Sequence, residues 1–140
     1  MILTTERVRT PHSDVREAQL TAMIEYLRSM VLMAPGGGER FHAVFVDSRK
    51  AYLGDESMGR GERDALSLRL RDLFGKALRY GASGIIIAHN HPSGDCRPSQ
   101  YDIDATQRVA AIAQALDIEL LDHLIFSDSA VYSMRAGGDL

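Results

Sequence analysis

Apolar residues follow two kinds of spacing along this chain, and each spacing predicts a kind of element. Leu20, Met23, Ile24, Leu27, Met30 and Val31 recur every three or four residues, forming one face of a helix that should begin near Asp14, with Glu17 completing a capping box. Pro35 and the glycines at 36–38 end it. From Phe41 to Asp47 the pattern reads as a strand, Ser48–Lys50 as its turn, and Ala51 to about Met58 as a second strand. Leu66, Leu70, Leu73, Phe74 and Ala77 return to helical spacing until Gly81. The run from Gly84 to Ala88 contains no polar position, as expected of a strand buried on both faces. After a loop from His89 to Pro98, Ser99 and Asp102 open a helix that turns Ile103, Val109, Ala110, Ala113 and Leu116 inward. Strands at Ile118–Phe126 and Ala130–Met134 complete the order helix, two strands, helix, strand, helix, two strands. That order predicts an α/β fold with a mixed β-sheet sandwiched by helices.

The glycine run is the one linker-like stretch, so residues 1–38 are expected to be a helical arm with a Gly-rich linker and residues 39–140 the domain proper. A chain of 140 residues supplies one core. Its 45% apolar and 25% charged content is that of a soluble globular protein, which sets aside disordered and fibrous classes. A formal charge of −3 gives no long-range field favouring DNA or an anionic membrane. No apolar run approaches the roughly 20 residues of a bilayer span. The N-terminus lacks a leader pattern and Cys96 stands alone, so a reducing cytoplasm is the expected setting.

His89 and His91 sit two apart where the buried strand ends, so in extended backbone both imidazoles leave the same face and their nitrogens can converge on one ion. Asp102 follows eleven residues after His91, in the first turn of a helix that can fold its carboxylate back beside them. Two imidazoles and a carboxylate suit zinc, and three protein ligands leave a fourth position for water, as in catalytic sites. Such a water needs a base; Glu56, on the second strand, is the candidate. Ser99, one helical turn before Asp102, is the candidate for orienting water or supporting an oxyanion. Ser99–Asp102 is also a capping box in its own right. Thr106, one turn after Asp102, can brace that carboxylate, and of Asp122 and His123 at most one can point to the site. Cys96, between the ligands, is either a plain loop thiol or a soft ligand.

The string from His89 to Thr106, His-Asn-His-Pro-Ser-Gly-Asp-Cys-Arg-Pro-Ser-Gln-Tyr-Asp-Ile-Asp-Ala-Thr, resembles the signature of the RadC family, a branch of the JAB/MPN metalloproteins with the JAMM motif. The likeness runs from about Glu39 to Met134, taking in the strand ending Phe45-Val-Asp, Glu56 with Gly61, Arg71-Asp-Leu-Phe, Gly84-Ile-Ile-Ile-Ala and Leu121-Asp-His-Leu-Ile. It implies a JAB/MPN-type fold related to cytidine deaminases, Zn2+ held by His89, His91 and Asp102, and Glu56 and Ser99 as catalytic groups. Leu70 and Cys96 replace prolines usual in the family.

The expected function is zinc-dependent hydrolysis of amide bonds, by a metallopeptidase or an isopeptidase removing a ubiquitin-like tag, with a peptide or protein-conjugate as substrate. The alternative is a DNA-associated accessory factor in repair or mobile-element biology; the helix-hairpin-helix region that supports it in other members is missing from this stretch, and one mildly basic helix is weak support. A nucleotide deaminase is excluded because its Pro-Cys-x-x-Cys motif needs a second cysteine.

Overall fold

The computed structural model of the chain describes residues 11–32, 38–61 and 70–140, with residues 11–17, 60 and 61 described by their backbone alone. Most of the glycine run, Leu66 and the side chains of the expected Asp14–Glu17 capping box lie outside the described residues. The elements are α1 (Pro11–Leu32), β1 (Glu39–Val46), β2 (Tyr52–Gly61), α2 (Leu70–Tyr80), β3 (Gly84–Asn90), α3 (Gln100–Ala115), β4 (Glu119–Phe126) and β5 (Val131–Ser133). The expected order holds, with displaced boundaries. Helix α1 begins three residues before Asp14, β2 runs three past Met58, and β1 starts at Glu39 rather than Phe41.

One five-stranded sheet carries the order β2-β1-β3-β4-β5. The β1–β2, β1–β3 and β4–β5 pairs are antiparallel, while β3 and β4 are parallel, joined through α3. Alternation along the strands divides the core in two. Phe41, Ala43, Phe45, Ile85 and Ile87 face α2 and α3, meeting Leu73, Phe74, Ala77, Val109 and Ala113. Val44, Val46, Ala88, Leu124 and Phe126 face α1, meeting Leu27 and Val31. Each of those two helix residues is essentially fully buried, a contribution of about 1.5–3 kcal/mol apiece. The Arg28 guanidinium donates to the Ser127 carbonyl at 2.7 Å and lies 5.3 Å from the centre of the Phe126 ring, so α1 is docked on the sheet by both packing and polar contacts. No helix among the described residues is long and apolar enough to cross a membrane.

Helix α2 stops where the glycine signal placed it. Gly81 adopts φ +65°, its N–H donates to the Leu78 carbonyl, and the next N–H, of Ala82, reaches back to Ala77. That pairing closes the helix as a Schellman motif and sends the chain directly into β3.

Candidate metal centre

The site forms where three elements end together: the carboxyl end of β3, the start of β1 and the N-terminus of α3. His89 lies on the α2/α3 face of β3, opposite Phe41 of β1, whose ring stacks on it with centroids 4.8 Å apart. The imidazole is wholly buried, so its position is fixed by packing. Two residues on, His91 brings its Nε2 to 3.0 Å from His89 Nε2. Two ligand nitrogens about 2.0–2.1 Å from a tetrahedral zinc stand roughly 3.3 Å apart, close to this spacing.

Asp102 enters from the first turn of α3. Ser99 is the N-cap: its hydroxyl accepts from the Asp102 N–H at 3.0 Å, and the Ser99 N–H donates to Asp102 Oδ2 at 2.9 Å. The same Oδ2 lies 3.0 Å from His91 Nε2, and Oδ1 lies 3.6 Å from His89 Nε2. The capping box therefore aims the carboxylate at the histidines; capping and ligation are one geometry. A carbonyl can only accept, so the 2.8 Å contact between His91 Nδ1 and the Asp95 carbonyl puts a proton on Nδ1 and turns the other ring nitrogen to the site.

The donor set fits a borderline divalent cation. Two imidazole nitrogens and a carboxylate crowd within 3.0–3.6 Å, an arrangement that only a proton or a cation holds together. A profile for the RadC-like JAB domain matches residues 17–139. The chain belongs to that family. Over 119 residues it is 39% identical to a UPF0758 protein of Ruegeria pomeroyi, an alignment covering 85% of this chain and 52% of that protein. A UPF0758 protein of Cupriavidus pinatubonensis is 35% identical over 119 residues, 85% of this chain and 51% of its own length. One of Pseudomonas fluorescens is 36% identical over 133 residues, 95% of this chain and 57% of its own length. The chain thus spans about half the length of the curated relatives it matches.

Among the described residues of this RadC-like JAB domain, the carboxylate beside the histidines, apart from Asp102, is Glu39. A carboxylate oxygen of Glu39 and one nitrogen each of His89 and His91 lie within 4.8 Å of one another. Strand alternation explains why: Phe41 pairs with His89, so Glu39, two residues earlier on β1, leaves the same face of the sheet as His89. Asn90, between the two histidines, points to the opposite face and clamps the backbone on either side of Glu39. Its Oδ1 accepts from the Arg40 N–H at 2.7 Å and its Nδ2 donates to the Gly38 carbonyl at 3.0 Å.

Glu56, expected to overlook the ligands, is not part of that cluster among the described residues. Strand β1 intervenes between β2 and β3, and the register sets Glu56 level with Ala43 and Ile87, two residue pairs along from the His89 row. Helix α2 takes its carboxylate instead: Tyr80 donates its hydroxyl to Oε1 at 2.9 Å, and Lys76 Nζ lies 3.8 Å from Oε2. Cys96 packs with Ile125 and Met134, away from the ligand role considered for it. Thr106, expected to brace Asp102, bonds His123 at 2.7 Å. His123 itself is wholly buried and meets His89 Nδ1 at 2.6 Å. Its neighbour Asp122 faces away and holds Ser133 and the Arg135 N–H.

Charge follows this geometry. The hydrogen bond to Asp102 holds the His91 pKa above its ordinary value, against the opposing effect of burial. Burial raises Asp102, yet the bond from His91, the His89 charge and the Ser99 donors outweigh it and keep the carboxyl well below the usual range. Burial, reinforced by His123, drives His89 far down, and burial lowers His123 to about 4. Burial raises Glu39, opposed by His91 and reinforced by Asp102. In the metal-free protein, the proton that His91 retains beside Asp102 is the cation that a metal would displace.

Proposed function

We propose that this RadC-like JAB domain is a zinc-dependent hydrolase of amide bonds, acting on a peptide or a protein conjugate such as one bearing a ubiquitin-like tag. His89, His91 and Asp102 would hold the metal, and Glu39, not Glu56, is the base. The observation that carries this reading is the convergence of two oriented imidazoles and a capped carboxylate with a second, raised-pKa carboxylate beside them. A zinc ion in such a donor set supplies Lewis acidity and lowers the pKa of bound water toward neutrality.

The chain's own groups supply the rest. Glu39 takes the proton from the attacking water at its carboxylate and returns it to the leaving amine, a task favoured by a carboxyl whose burial raises its pKa toward neutrality. His91, pinned through Nδ1 by the Asp95 carbonyl, keeps its aim through the cycle. Ser99 accepts from the Asp102 N–H and retains its hydroxyl proton for a bond to the oxyanion that forms as the carbonyl is attacked.

Zinc content of the purified chain, together with hydrolysis of fluorogenic peptide and ε-lysyl isopeptide substrates, tests the reading. Zinc near one per chain is expected. Glu39→Gln should keep the metal and lose about 10²–10⁴-fold in turnover, whereas Glu56→Gln should cost almost nothing. Full activity in Glu39→Gln would remove the base assignment; a wild-type chain that binds no zinc would remove the hydrolase.

A further inference from the structure

We propose that Thr106 and His123 are positioning residues that fix which nitrogen of His89 is bare, through a one-way chain of buried hydrogen bonds ending on Met134; the inference rests on the metal reading above. Metal-ligating histidines usually donate their other ring N–H to a carboxylate, a backbone carbonyl or water, which sets tautomer and aim. His91 obeys this rule through the Asp95 carbonyl. His89 does not: its Nδ1 meets His123 Nε2 at 2.6 Å, and an imidazole nitrogen can donate or accept.

The metal site requires one direction. For His89 to present a bare Nε2 to a metal, its proton must sit on Nδ1, so His123 Nε2 must accept. His123 then carries its own proton on Nδ1, facing Thr106 Oγ1 at 2.7 Å. A hydroxyl can accept that bond only by sending its own hydrogen elsewhere, and Met134 Sδ stands 3.6 Å away to receive it. The reverse order, from Thr106 through His123 to His89, satisfies the two imidazole contacts but gives up the bond to Met134 and leaves a proton on His89 Nε2, where the metal must bind. His89, Thr106 and Met134 are wholly buried, as is His123, so water cannot substitute for a missing partner. Thr106 thus acts on the metal from two side chains away, by accepting rather than donating.

Zinc affinity of the full chain, measured by competition against a chromophoric chelator, tests this with a readout independent of turnover. Thr106→Val keeps the shape and deletes the acceptor; it should weaken zinc binding about 10–100-fold, and Thr106→Ser should restore it to within about threefold of wild type. Nitrogen-15 shifts of the zinc-loaded protein should show His123 protonated at Nδ1. If Thr106→Val does not fold, His123→Gln, whose amide oxygen can accept from His89, should bind zinc more tightly than His123→Leu. Wild-type affinity in Thr106→Val, equal binding by the Gln and Leu variants, or His123 protonated at Nε2 in the loaded protein would overturn the inference while leaving the metal site standing. A wild-type chain that binds no zinc would instead sink the reading beneath it.

Discussion

Burying His123 without a charged partner has a stability cost that acid should expose. In the metal-free protein, burial lowers its pKa from 6.5 to about 4. Each tenfold loss of proton affinity is worth 1.36 kcal/mol, so the whole interval amounts to about 3 kcal/mol. The sign follows from proton uptake. Above pH 6.5 neither state is protonated at this ring and nothing is lost; as pH falls toward 4 the unfolded chain gains a proton that the folded chain refuses, and stability declines. Below the folded value both states are protonated and the loss is complete. His91, raised by Asp102, works in the opposite sense, its stabilisation being present at low pH and lost as pH rises through its elevated pKa. Asp102 loses its contribution only below the ordinary carboxyl range. Both act alike in wild type and in His123→Gln, which cannot titrate, so their difference reports the His123 imidazole together with the part of the His89 shift that His123 causes. Urea unfolding with a chelator present, between about pH 7.5 and pH 4, should show wild type losing about 3 kcal/mol more than the variant. Parallel curves would mean that His123 is hydrated or charged in the folded state, and the enclosed pocket described above would be wrong.

Zinc at about 100 times its Kd should stabilise the fold by roughly 2.7 kcal/mol, read as a rise in Tm that a chelator reverses; an unchanged Tm would count against a preformed site. Asn90→Ala frees the backbone on both sides of Glu39, so turnover should fall at least about 10-fold while zinc content holds, and equal loss of both would show that Asn90 supports the ligands instead. A Cβ at Gly54 would overlap the Tyr80 ring, which stacks on Phe45 at 4.9 Å. Gly54→Ala should therefore destabilise the chain by about 1–3 kcal/mol without altering zinc affinity, as measured by urea unfolding and chelator competition.

The contrast between Glu39 and Glu56 shows what the sequence could carry. Element types were legible because β1 and β3 are short apolar runs buried on both faces, while burial in α3 repeats near 3.6. Strand ends were not, because a strand's first residue need not be apolar. Glu39 follows the glycine run and precedes Phe41, so hydrophobic alternation begins after it, yet hydrogen bonding from Asn90 draws Arg40 and Gly38 into line with β3. The signal was present in phase: Glu39, Phe41, Ala43 and Phe45 share one face, and Phe41 packs on the first histidine. What phase cannot supply is register, which sets Glu39 on the His91 side of the Phe41–His89 row and Glu56 on the Ile87 side.

The ligand spacing survives translation into structure because it is local. His-x-His needs only an extended backbone, and Ser99-x-x-Asp102 needs only a helix start. Capping and metal binding are compatible demands here: the Ser99 N–H and His91 meet the same oxygen, so the cap orients the carboxylate. Thr106 illustrates the opposite case. Helical periodicity correctly places it one turn from Asp102, but the parallel register of β3 with β4 puts His123 beside Ile87, diagonally adjacent to His89, and its Nδ1 takes the hydroxyl in place of the Asp102 carboxylate. A residue's element can be read from its neighbours in sequence, whereas its partner is decided by whichever buried polar group lacks one, and here that group was an imidazole contributed by another strand.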